Sequence, residues 1–169
     1  MKCLGDTDSH KRLILAVRAR PRLLLLLRLI DIVAVICTVC AYAYAVISSA
    51  LDDLWLASDL ILTCGIPFII LSIVRARIDA PRPLEVYGLS FPNEKREGRS
   101  FPSRHAFSVF SIGTAIAFVE PLLAIGVLLL GVLLSAARVL IGKHFVRDVL
   151  VGGLVGIATS LVGMSILYL

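Results

Sequence analysis

The chain has 169 residues, 59% of them hydrophobic and 17% charged, with a formal net charge of +5 and a mean hydropathy of +0.95. So apolar a composition excludes a disordered, collagen-like or disulfide-scaffold chain, and it argues against a soluble nucleic-acid binder despite the basic surplus. An all-α polytopic membrane bundle is expected: each crossing of a roughly 30 Å hydrocarbon core takes about 20 apolar residues, so this length suits about five spans and one domain.

Residues 1–22 carry Lys2, Lys11, Arg12, Arg18, Arg20 and Arg22 among Leu13, Ile14, Leu15 and Val17. That is the pattern of a basic amphipathic helix lying on anionic headgroups, ahead of a membrane-embedded domain over 23–169. A first span is predicted over 23–49; its apolar run is too long for a signal-peptide core and is read as an anchor. Near its start Arg28 and Asp31 stand three residues apart on one helical face, where they can pair or snorkel. Cys37 and Cys40 lie in apolar sequence and read as small hydrophobes, since neither further zinc ligands nor a thioredoxin-like context accompanies them. A second span covers 54–74, with Pro67 placed to kink it. Residues 75–104, with Pro81, Pro83, Gly88, Pro92 and Gly98 among many charges, form the one long loop. Spans over 103–120, 121–141 and 149–169 complete the count, and Gly113, Ala117, Gly126, Gly152 and Gly156 are expected to let these helices approach closely.

Parity puts the connections 50–53 and 120–121 on one side of the bilayer. The N-terminus, the long loop and 142–148 share the other, and all 17 cationic residues lie on or near it. The positive-inside rule makes that polar face cytoplasmic in a multi-pass protein of the cell membrane; cations that serve to bind an anion would instead report a ligand and leave the side open. Oligomeric state is not written in the sequence.

Three groups of residues on the polar face invite chemistry. Arg75 and Arg82-Pro83 leave the end of the second span, and guanidinium groups are permanent, forked donors matched to phosphate oxygens. At the start of the third span, Pro102-Ser103-Arg104-His105 offers an N-cap in Ser103 and a helix N-terminus whose free N–H groups suit a phosphate. His105 beside a bound anion would be stabilised in its protonated form, as a general acid requires. Between the last two spans, Arg138 precedes Gly142, an expected helix stop, and His144 stands four residues before Asp148. A carboxylate on one imidazole nitrogen fixes the tautomer and leaves the other nitrogen able to attack.

Together these groups resemble the type 2 phosphatidic acid phosphatase (PAP2) family of membrane lipid-phosphate phosphatases. The family's first motif is Lys, six residues, Arg-Pro; here Arg75 takes the Lys position ahead of Arg82-Pro83. Its second, Pro-Ser-Gly-His, is matched by Pro102, Ser103 and His105, with Arg104 at the glycine. Its third, Ser-Arg, five residues, His, three residues, Asp, is matched at Arg138, His144 and Asp148, with Ala137 at the serine and Ser135 the nearest hydroxyl.

The resemblance implies that His144 attacks phosphorus to give a phosphohistidine, that Asp148 orients it, and that His105 protonates the leaving group and then activates water. Arg75, Arg82, Arg138, Ser103 and Arg104 would hold the phosphate. No cofactor or metal is implied, since Asp148 is the one strong carboxylate candidate near the site where Mg²⁺ chemistry needs several oxygens. The expected substrate is an amphiphilic lipid phosphate, such as a polyprenyl diphosphate or a phospholipid phosphate, with the bilayer as the other partner. Two alternatives remain at this level: a lipid phosphotransferase on the same core, and a catalytically inactive binder of anionic lipid.

Overall fold

The computed structural model describes residues 7–89 and 98–167; Lys2, Cys3, Pro92 and the last two residues of the fifth predicted span lie outside them. Within the described residues seven helices and no strands form: α1 (Thr7–Arg18), α2 (Pro21–Asp52), α3 (Leu54–Ile78), α4 (Pro83–Val86), α5 (Arg104–Ile116), α6 (Pro121–Ile141) and α7 (Val146–Leu167). Their ends follow local chemistry. Pro21 and Pro121 open α2 and α6, where a missing N–H does no harm. Asp53 caps α3 by accepting from the Trp55 N–H at 2.8 Å, and Ser103 caps α5 by accepting from Ala106. Gly142 ends α6 in the left-handed region at φ 87°; the Lys143 N–H returns to the Arg138 carbonyl at 2.9 Å and the Gly142 N–H to Val139 at 3.0 Å. Pro67 sits inside α3, which continues past it to Ile78.

Four stretches are long and apolar enough to cross a membrane: α2, α3 with α4, α6 and α7. Their outer faces are lined with exposed Leu, Ile and Val, as hydrocarbon contact demands. The remaining predicted span becomes the short helix α5, 13 residues long and so only about 20 Å at 1.5 Å per residue. It stops at Ile116 because the chain tightens there: Val119 and Glu120 both bond back to the Ile116 carbonyl before Pro121 starts α6. Helices α2, α3, α6 and α7 all pack around it, and the turn 117–120 completes the path to the start of α6 at the other end of the bundle. Its Ala106, Phe107, Val109 and Ile116 are buried.

The tightest of these contacts is with α7. A Cβ on Gly152 would lie 2.5 Å from the Ser103 carbonyl oxygen, and one on Gly156 2.5 Å from that of Phe107, so backbone meets backbone. A Cβ on Gly126, by contrast, would have nothing within 4 Å, so this position is not a packing glycine.

The basic N-terminal helix is more than a surface rider. Ile14 and Val17 are buried, the latter with Leu27, Ala137 and Ile141, and Arg18 donates to the Ile141 carbonyl at the end of α6 at 3.0 Å. His10 reaches the Tyr87 hydroxyl at 3.0 Å and the Val139 carbonyl at 3.2 Å. Helix α1 therefore docks on the polar end of the bundle, over the turn that leads to His144.

Candidate active site

The three groups of residues singled out in the sequence meet at this polar end, and backbone groups stitch them together. From α3, Arg75 is buried and its Nη1 donates to the Pro102 carbonyl at 2.7 Å, which ties the first group to the second. Arg82 donates from Nε to the Gly98 carbonyl at 3.0 Å, and from Nη1 to the Lys143 carbonyl at 3.5 Å. Its stretch is held in turn by Glu85, whose carboxylate accepts from the Arg82 N–H at 2.6 Å and from the Gly98 N–H at 3.0 Å.

Asp148 joins the second group to the third. It is fully buried, and as the third residue of α7 its Oδ2 accepts from the Phe145 N–H at 3.0 Å, the carboxylate half of a capping box. The same oxygen accepts from the Ser100 hydroxyl at 2.5 Å, while its backbone carbonyl accepts from the Ser103 N–H at 2.9 Å. His144 is 1% exposed; its Nδ1 faces Asp148 Oδ2 at 3.7 Å and has no hydrogen-bond partner among the described residues. That distance exceeds a hydrogen bond, but contacts of this kind tighten in a substrate complex.

His105 is the second residue of α5 and lies within electrostatic range of Arg138, Asp31, His144 and Arg104. Arg104 is exposed at the helix N-terminus. Ser103 is buried with its oxygen engaged as the cap, which leaves its hydroxyl proton as the group it can offer a ligand. Arg138 is buried, its Nε 2.6 Å from Asp31 Oδ1. A cavity of about 310 Å³ runs from Arg104 and His105 along Ser108, past Val35 and Thr38 of α2 and Phe68 of α3. Its wall is largely apolar, and it touches the charged cluster only at Arg104 and His105.

The residues matched by the PAP2 superfamily model run from 18 to 168. The chain belongs to the PAP2 superfamily. It is accordingly an integral-membrane phosphoric ester hydrolase. Its fold is similar to the crystal structure of Aquifex aeolicus LpxE, with a TM-score of 0.60 and 22% identity over 83% of this chain and 93% of that one. No curated protein matches the sequence significantly.

Where this PAP2 chain departs from the family's motifs, the surroundings give physical reasons. An arginine at 75 spends one arm of its fork on Pro102 and still presents the rest, which a single ammonium cannot do as rigidly. Ala137 packs among Val17, Leu27 and Ile141, so a hydroxyl there would meet apolar side chains beneath α1. Ser135 Oγ is buried without a hydrogen-bond partner among the described residues.

Three contributors were invisible in the motif spacing. Asp31 pairs with Arg138 and Lys143, whereas the sequence set it beside Arg28, which is exposed. Lys143 donates to Asp31 Oδ2 at 2.7 Å, and Ser100 supplies a buried donor to Asp148. The only signal available for Asp31 was a lone acid in a membrane span, which usually marks function.

Burial pushes the His144 imidazole below its ordinary value, with Arg138 and Arg82 adding to the effect and Asp148 opposing it. The neutral form, the one with a free lone pair, is thus favoured at neutral pH. For kcat/KM the acid limb due to His144 is expected below about 6.5, since activity is lost as pH falls through the lowered value. A pH profile corrected for the substrate's own second ionisation near 6 checks this; an acid limb above 7 would contradict it.

Proposed function

We propose that the protein removes a terminal phosphate from an amphiphilic lipid phosphate at the surface of the cell membrane, through a phosphohistidine on His144. The observation that carries this reading is the way Asp148 gathers the groups: one residue receives Ser100, Ser103 and Phe145 while facing His144. Arg75 and Arg82 brace the same segments.

With Nδ1 turned to Asp148, Nε2 carries the lone pair that attacks phosphorus in line. The N–P bond forms as the P–O bond to the lipid breaks, and the departing oxygen takes a proton from His105, whose protonated form the bound phosphate anion stabilises. Neutral His105 then removes a proton from water, whose oxygen attacks phosphorus; the N–P bond breaks, and phosphate and free His144 are restored. Charge on the equatorial oxygens is met by Arg75, Arg82, Arg104 and Arg138, by the Ser103 hydroxyl and by the first N–H groups of α5.

The apolar cavity supports a lipid as the carrier of that phosphate. Val39 and Phe68 on its wall are exposed on the outer surface of the bundle, so an acyl or prenyl chain can lie between α2, α3 and α5 while its headgroup meets His105. Polyprenyl diphosphates and phospholipid phosphates both fit this description.

Rapid quenching of the purified protein with a lipid substrate carrying labelled phosphate tests the reading. Label should remain on the protein in an acid-labile, base-stable form and map to His144. Transfer of the label to an added lipid alcohol in place of water would convert the reading to a phosphotransferase. Protein that binds the lipid but never takes up label would overturn it.

A further inference from the structure

Helix α2 brings to the polar end a carboxylate that none of the three motif groups contains. Asp31 is 5% exposed, and its oxygens are divided between two cations. Oδ1 accepts from Arg138 Nε at 2.6 Å and Oδ2 from Lys143 Nζ at 2.7 Å. These cations flank the left-handed turn at Gly142, the Lys143 N–H bonding back to the Arg138 carbonyl at 2.9 Å. The next residue is His144. One carboxylate thus bridges the turn that delivers the attacking imidazole, and it also lies within electrostatic range of His105. Along the same helix Val35, Thr38 and Val39 follow at the four-, seven- and eight-residue spacing of a single face, and all three line the cavity. This face of α2 therefore runs from charge at the phosphate end to apolar wall at the tail end.

We propose that Asp31 is a positioning residue for phosphoryl transfer: its two oxygens aim Arg138 and tether Lys143, which holds the His144 turn against the phosphate. The inference rests on the phosphatase reading of this site. Two physical roles are open to a carboxylate here, and they predict opposite results. A mere counter-charge repels phosphate, so removing it would tighten anion binding. A positioning carboxylate holds cations in the geometry that the transition state needs, and a misplacement of about 1 Å there lowers turnover by about 10²-fold. The separate engagement of each oxygen, with both pairs near ideal charge-assisted length, favours positioning.

The experiment compares wild type, Asp31→Asn and Lys143→Met in detergent, with folding checked by circular dichroism and gel filtration. Phosphate release from a dispersed lipid phosphate yields kcat and KM, and calorimetry with vanadate, which mimics the five-coordinate phosphorus, reads the site without turnover. Asp31→Asn is expected to lower kcat by about 10²-fold with KM little changed, and to weaken vanadate binding about tenfold or more. Lys143→Met should show a smaller loss of the same kind, about tenfold in kcat. A folded Asp31→Asn protein with wild-type kcat, or with equal or tighter vanadate binding, overturns the proposal. Should that variant not fold, unchanged kcat and vanadate affinity in Lys143→Met overturn it instead. If wild type releases no phosphate, the phosphatase reading fails, and the vanadate affinities alone decide the role of Asp31: weaker binding in the variants upholds it and equal binding overturns it.

Discussion

Replacing His144 with alanine is expected to reduce phosphate release from a lipid phosphate by about 10⁴-fold or more, the scale seen when an enzyme loses its nucleophile. The side chain is almost wholly buried, so it makes no surface contribution that could account for such a loss. Its ring faces the Asp148 carboxylate at 3.7 Å, and Asp148 is itself held by Ser100 and Phe145 whatever occupies position 144. The variant should therefore keep its fold and still bind vanadate, though more weakly, while covalent labelling disappears. Wild-type turnover is expected to persist in EDTA, because on the proposed reading the arginines supply the positive charge that the equatorial oxygens need. Turnover by folded His144→Ala near the wild-type rate would remove the assigned nucleophile, and with it the phosphohistidine route.

Gly152→Val is expected to be the most damaging single change to the fold, lowering stability by about 3 kcal/mol or more. The reason is the 2.5 Å approach of a position-152 Cβ to the Ser103 carbonyl, which is backbone and cannot rotate away. Relief requires α5 to move off α7. That movement would stretch the Ser103–Asp148 backbone bond at 2.9 Å and carry His105 away from His144, so activity should fall with the thermal midpoint. Gly126→Ala provides the contrast, since a methyl there meets nothing within 4 Å. It should be neutral or stabilising by up to about 1 kcal/mol through helix propensity. Thermal unfolding of both variants in one detergent checks the pair of expectations, and equal midpoints would contradict the backbone-contact account.

Several features were legible in the sequence because each is decided within one stretch of chain. Apolar runs marked α2, α3, α6 and α7 close to their observed bounds. Ser103 as a cap and Gly142 as a stop follow from rules that act over one helical turn. The four-residue spacing pointed to the His144 and Asp148 pair, but His144 precedes α7, which begins at Val146, so the two meet because the bend before the helix folds back over its first turn. The arginines at 75, 82 and 138 could be placed relative to the spans because that placement too is decided within one stretch of chain. The helical extent differs in one place: the span read over 103–120 is helical only from Arg104 to Ile116, where α2, α3, α6 and α7 enclose it.

Composition and spacing by themselves determined a helical membrane chain with its charge gathered at one end, and within each motif the residues that share a face. Only the tertiary structure decided that Asp31 belongs with Arg138, 107 residues away, and that Ser100 donates to Asp148. It alone separated Gly152, where a Cβ would press on a carbonyl, from Gly126, where a Cβ would meet nothing within 4 Å among the described residues. The physical reason is that helical periodicity fixes neighbours along one helix, whereas the register between helices is set by packing, and no local spacing encodes which faces will meet.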